Sequence, residues 1–189
     1  MNSEYMLSNV TKDYLNTFYY ILEQMITGMT SAELTNSISH NFIVQMIPHH
    51  WAAIEMSHNI LKYTTNIPLQ NIASQIIMEQ TISIENMMGI EPYCSTLDNS
   101  EEELASYQQK MNQIMETMFS AMKTAQTTNR VNCDFMWEMI PHHKGAVAMS
   151  ETTLQYDICP ELKPILQAII TSQKRGIMQM QQLLQSIKC

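Results

Sequence analysis

The pentapeptide Met46-Ile47-Pro48-His49-His50 returns as Met139-Ile140-Pro141-His142-His143, 93 residues later. The same offset lays Phe42 on Phe135, Met56 on Met149, Ser57 on Ser150, Leu61 on Leu154 and Tyr63 on Tyr156. Upstream it lays Tyr14, Ile21, Met25 and Met29 on Tyr107, Ile114, Met118 and Met122; downstream, Gln80, Ile84 and Met87 fall on Gln173, Ile177 and Met180. Repetition on this scale constrains the fold before any local propensity does, because two units with the same internal order must pack in the same way. The chain reads as one domain spanning 1–189 and built from two three-helix repeats, 1–93 and 94–189.

The spacing inside each unit is helical. Tyr14, Phe18, Ile21, Leu22, Met25 and Met29 recur every three or four residues, which makes one apolar helix face. Only four Gly and six Pro stand among abundant Met, Leu, Ile, Gln and Glu, so the class is all-α. The first helix is expected from about Asn9 to Thr27 with Gly28 as its stop. The second should start among Ser37, Ser39 and Asn41 and reach about Tyr63. The third should open at Pro68 and end near Met88, before Gly89 and Pro92. After an acidic break, with Ser100 and Glu103 set as a capping box, helices follow from about Glu101 to Ala125, Cys133 to Tyr156 and Glu161 to Ile187, with Pro160 in the opening turn of the last. Such short connections make successive helices antiparallel neighbours in a bundle.

Charge and composition exclude several functions. A net charge of −8 with ten Lys plus Arg leaves no basic stripe for nucleic acid. No run approaches the roughly 18 to 20 apolar residues of a membrane span, and the N-terminus carries no signal pattern, so the chain as it stands reads as cytoplasmic. A leader already removed would place it outside the cell. The cysteines Cys94, Cys133, Cys159 and Cys189 show no C-x-x-C spacing and are out of register between the repeats, so reduced thiols are expected.

On a helix turning about 100° per residue, Met46, His49, His50, Ala53 and Met56 share a stripe roughly 120° wide, as do Met139, His142, His143, Ala146 and Met149. Each unit thus turns two imidazoles and two thioethers the same way. Pro48 and Pro141, placed inside the helices, free the carbonyls of Val44 and Trp137 just before the imidazoles. Thioether and neutral imidazole suit Cu(I) and tolerate Ag(I) or Cu(II). Met78, Met87, Met111 and Met115 read as core filler, while the pairs Met25/Met29 and Met118/Met122 fit either a helix packed over the metal-bearing helix or a row of transfer ligands. His40 reads as a capping or surface residue, and His58 lies off the stripe. Glu55-Met56-Ser57-His58 gives one E-x-x-H, but the second unit has Ala148 and Glu151 there, so the paired carboxylates of a di-iron bundle are incomplete. No catalytic triad, phosphate loop or Cys-His nucleophile pattern stands out, and the chain reads as non-catalytic.

At these residues the sequence resembles a ferritin-like family known as a domain of unknown function (three-oh-five). Its members carry two M-I-P-H-H-x-x-A-x-x-M segments on a four-helix bundle, and some bind copper. The matching segments are Phe42 to Met56 and Phe135 to Met149, each followed by the helix of Gln80 or Gln173. The resemblance implies a ferritin-like four-helix bundle of helices two, three, five and six with pseudo-twofold internal duplication, plus two additional helices. Family members often carry Gly four residues after the proline and Glu three residues after the Gln. Here Ala52 replaces the first Gly, Gly145 keeps the second, and Ser83 and Gly176 occupy both Glu slots. Losing the two acids favours a soft His/Met site over hard-metal or acid–base chemistry.

The expected function is therefore metal binding, with copper as Cu(I) first and other soft or borderline transition metals behind it, for sequestration or homeostasis. The expected metal ligands are His49, His50, His142 and His143, supported by Met46, Met56, Met139 and Met149. The rival from another class is an oligomeric helical scaffold whose histidines are structural; a metal-dependent oxidoreductase is weaker still. A homo-oligomer stays open.

Overall fold

The structure, a computed structural model, describes residues 6–189. It consists of six helices, α1 (Asn9–Thr30), α2 (Ile38–Leu61), α3 (Ile67–Cys94), α4 (Glu101–Lys123), α5 (Val131–Thr153) and α6 (Leu162–Ser186). No strand occurs among the described residues. α2 packs on α3, α3 on α6, α6 on α5 and α5 on α2, closing a four-helix bundle; α1 lies against α2 and α4 against α5. No described helix is long and apolar enough to cross a membrane.

Local chemistry sets most helix starts. The side chains of Ser8, Ser37 and Asn66 each accept the amide three residues on, at the starts of α1, α2 and α3, and Ser100 with Glu103 forms the full capping box of α4. The apolar face of α1 buries Tyr14, Phe18, Leu22, Met25 and Met29. That of α4 buries Tyr107, Met111, Met115, Met118 and Met122. Each face covers the outer side of a central helix, so α2 and α5 are enclosed on nearly every side, and Phe42, Met46, Phe135 and Met139 have no exposed surface.

Several expected breaks are not breaks. Gly28 lies inside α1, where a Cβ would sit 2.8 Å from the Cβ of Pro48: the glycine lets α1 approach the proline of α2 rather than ending the helix. Gly89 and Pro92 lie inside α3, which continues to Cys94. Pro92 frees the carbonyl of Met88, but Met88 is exposed and water can satisfy it. At the other end of the chain Pro160 precedes α6, which starts at Leu162. Met78, expected in the core, is 57% exposed, whereas Met87, Met111 and Met115 are buried.

The cysteines are the largest correction. Cys94, at the end of α3, is bonded to Cys159 between α5 and α6, and Cys133, in the first turn of α5, to Cys189. None of the four is free. Register between the units could not reveal the pairs, because one bond joins the end of α3 to the connection between α5 and α6 and the other joins the start of α5 to the end of the chain.

Candidate metal centre

α2 and α5 cross at the two Pro-His-His segments. The rings of His49 and His142 stack with centroids 3.6 Å apart. Nε2 of His49 lies 3.2 Å from the carbonyl oxygen of His142, and Nε2 of His142 lies 3.1 Å from that of His49. A carbonyl can only accept, so each Nε2 carries the hydrogen and each Nδ1 keeps its lone pair. Neither Nδ1 has a hydrogen-bond partner.

The second imidazole of each pair turns towards α3 and α6. His50 places Nε2 3.0 Å from the hydroxyl of Ser83. His143 forms no hydrogen bond at Nδ1, and its Nε2 edge rests on Gly176, where a Cβ would come within 2.9 Å of the ring. Gly176 is thus the space His143 occupies. All four imidazoles are 2% exposed or less. Burial drives every one towards the neutral form, assisted by neighbouring imidazoles at His49, His50 and His143 and opposed at His142 by its bond to the His49 carbonyl. His50 is pushed down to about 3 and His142 to about 4, and His49 and His143 lie well below the usual histidine value. Neutral imidazole is the form that ligates metals.

Met46, Met56, Met139 and Met149 are all buried, on the same two helices. Among the described residues no three of the imidazoles bring donor atoms within 4.8 Å of one another, so imidazoles alone do not make a closed cage. The one such trio of His, Cys, Asp or Glu is Cys94, Cys159 and Glu161, whose sulfurs are committed to a disulfide. The residues present fit a soft ion on the chemistry of their donors: free Nδ1 lone pairs on His49 and His142, unpartnered Nδ1 atoms on His50 and His143, and thioethers on the same helices. His40 is not a cap. It bonds Glu91 through Nδ1 at 2.8 Å and meets the carbonyl of Glu33 through Nε2, tying α2 to α3 away from this centre. His58 is exposed on α2.

Sequence reasoning missed two groups here. Gln80 and Gln173 are buried on α3 and α6, the helices towards which the second imidazoles turn, and each carboxamide oxygen lacks a partner. Their shared register was visible, but a glutamine at helical spacing carries no signal for a site. The hydroxyl of Tyr14 donates to the buried carboxylate of Glu138 at 2.5 Å, bridging α1 to α5. Burial raises Glu138 well above the usual carboxylate value, more strongly than the Tyr14 bond lowers it.

None of the curated proteins matches this chain. Solved structures do. CopM in an Ag-bound form obtained by soaking is 28% identical over 78% of this chain and 95% of its own, with a TM-score of 0.58. CopM in a Cu(I)-bound form is 27% identical over 82% and 98%, with a TM-score of 0.57. A fragment from Deinococcus radiodurans carrying the domain of unknown function DUF305 is 22% identical over 79% and 96%, with a TM-score of 0.58, and shares the fold. The family described as a domain of unknown function (DUF305) matches residues 39–184, which include both Pro-His-His segments and nearly the full length of the four bundle helices, and this chain belongs to it.

Proposed function

We propose that this chain binds copper and serves in its sequestration or homeostasis. Cu(I) is the favoured form, with His49, His50, His142 and His143 as primary ligands and Met46, Met56, Met139 and Met149 as supporting thioethers. The observation that carries the reading is four fully buried neutral imidazoles, each with an unpartnered Nδ1. Such groups cost roughly 1–3 kcal/mol each when left unmade, and a soft cation would recover that cost. The CopM relatives solved with Cu(I), Cu(II) and Ag support the choice of metal. The two disulfides support an oxidising compartment over the cytoplasm.

Titration with Cu(I) against a competing chelator tests the reading. Binding is expected in the native protein and lost when all four histidines are changed to alanine. Unchanged affinity would assign the metal to exposed methionines such as Met88 and Met178 instead. The reciprocal bonds of His49 and His142 to each other's carbonyls favour a second reading, in which the histidines only lock α2 to α5. On that reading protein purified without an affinity tag carries no copper, and the quadruple variant loses stability alone.

A further inference from the structure

Between α3 and α6 lies a cavity of about 480 Å³, whose walls run out to the exposed residues Ile82, Asn86 and Thr171. His50 and His143 both line it, so the two units share one chamber. Gln80 and Gln173 line it as well, at 3% and 4% exposure, with both Oε1 atoms unpartnered. Gln80 stands one turn before Ser83, the partner of His50, and Gln173 one turn before Gly176, on which His143 rests. Side chains three apart on a helix are neighbours at about 5–6 Å, so each carboxamide accompanies one imidazole. Although the chain has eighteen methionines, none lines this cavity.

We infer that His50, His143, Gln80 and Gln173 form a second copper site, facing solvent through the α3/α6 cavity, that takes the hydrated Cu(II) ion. The inference rests on the copper reading above and divides its ligands between two environments: His49 and His142 stay with the thioethers for Cu(I), and His50 and His143 turn to the cavity for Cu(II). Thioethers with imidazole select Cu(I), whereas imidazole nitrogen with amide oxygen and water suits the harder Cu(II). No protein group holds either ring nitrogen of His143, whereas Nε2 of His50 is held by Ser83 and only its Nδ1 is unpartnered, so His143 is the less restrained of the two ligands. At the rim the guanidinium of Arg175 is paired with Glu79, so it sets no uncompensated positive charge in the path of a cation. The net charge of −8 favours approach of cations generally.

The test compares Cu(II) binding, followed by electron paramagnetic resonance and chelator competition, with Cu(I) binding in the Gln80→Leu/Gln173→Leu double variant. The expected result is a loss of Cu(II) affinity of about tenfold or more, with Cu(I) affinity kept within about threefold. Unchanged Cu(II) affinity overturns the second site while leaving the copper function standing. Equal loss of both oxidation states also overturns it, because one site would then serve both. A native protein that binds neither ion overturns the copper reading itself. Should the leucine pair fail to melt cooperatively, Gln80→Asn/Gln173→Asn keeps the polarity and withdraws each oxygen by one methylene, and it must weaken Cu(II) binding alone.

Discussion

The two units keep their centres alike and differ at their ties. In both, a threonine ahead of the bundle helix donates its amide to the residue six on: Thr35 to Asn41 at 2.8 Å, and Thr128 to Asp134 at 3.0 Å. In both, a tyrosine of the outer helix meets one at the end of the bundle helix edge-on, Tyr14 with Tyr63 at 5.8 Å and Tyr107 with Tyr156 at 5.4 Å. The Pro-His-His segments are reciprocal to the level of individual hydrogen bonds. Away from that axis the chemistry diverges. His40 and Glu91 join α2 to α3 where Cys133 and Cys189 join α5 to the chain end. Asn41 and Gln45 face Asp134 and Glu138 as counterparts, and Ser83 faces Gly176. Groups on the pseudo-axis must complement their own copies, so a change there is felt twice; peripheral groups have no such partner and are free to drift.

The largest break in the comparison is expected at the ties. Closing the chain across 56 residues, the Cys133 to Cys189 bond is worth roughly 2–4 kcal/mol, whereas a part-exposed His40 to Glu91 pair contributes below about 1 kcal/mol. Chemical denaturation of a Cys133→Ser/Cys189→Ser variant should therefore show a several-fold greater loss of stability than His40→Ala. Equal losses would mean that the covalent tie adds nothing the ion pair lacks.

A smaller effect is expected from the imidazoles that face the cavity. Ser83→Ala removes the one hydrogen bond that the His50 imidazole makes among the described residues and frees its Nε2, so Cu(II) affinity should hold or rise by a few-fold. Gly176→Ala places a methyl where only 2.9 Å separates it from the His143 ring, and Cu(II) affinity should fall. The gain of about 1 kcal/mol in helix propensity offsets much of the packing cost, so the effect belongs to metal binding more than to melting. If both variants shift affinity in the same direction, His50 and His143 are not differently held.

The bundle was legible because apolar residues at three- and four-residue spacing leave a helix no other face to bury, and because Ser37 and Ser100 are chemically suited to cap. Helix ends were less legible, since glycine and proline have uses other than termination. Gly28 serves a close approach to Pro48, and Pro92 is tolerated where solvent reaches the freed carbonyl. The shared stripe of His49, His50, Met46 and Met56 could be read from the sequence. Which imidazole nitrogen stays free could not, because that is decided by carbonyls 93 residues away and by Ser83 and Gly176 on other helices. The disulfides were hidden for a similar reason, as each depends on where two distant helix ends meet.

The smallest effect, and the one with a pH signature, lies at Asp134. Burial raises its carboxyl from the usual value to about 6, although Thr128 donates to it from both backbone and hydroxyl and those bonds pull the other way. A folded-state value above the unfolded one means that the native state holds the proton more tightly. The associated stability is fully present below about pH 4 and is lost as pH rises through about 6. Above that, the protein carries a buried carboxylate whose Oδ2 has no partner. Its counterpart Asn41 avoids this by donating Nδ2 to the carbonyl of Thr35 at 3.0 Å. Asp134→Asn should let the second unit copy the first. Thermal melts are expected to show the variant more stable than the native protein by about 1 kcal/mol at pH 7 to 8, with the advantage vanishing by pH 4 to 5. An advantage independent of pH would trace it to the added hydrogen bond rather than to the charge, and a destabilised variant at pH 8 would show that the carboxylate is compensated there by a partner the amide cannot replace.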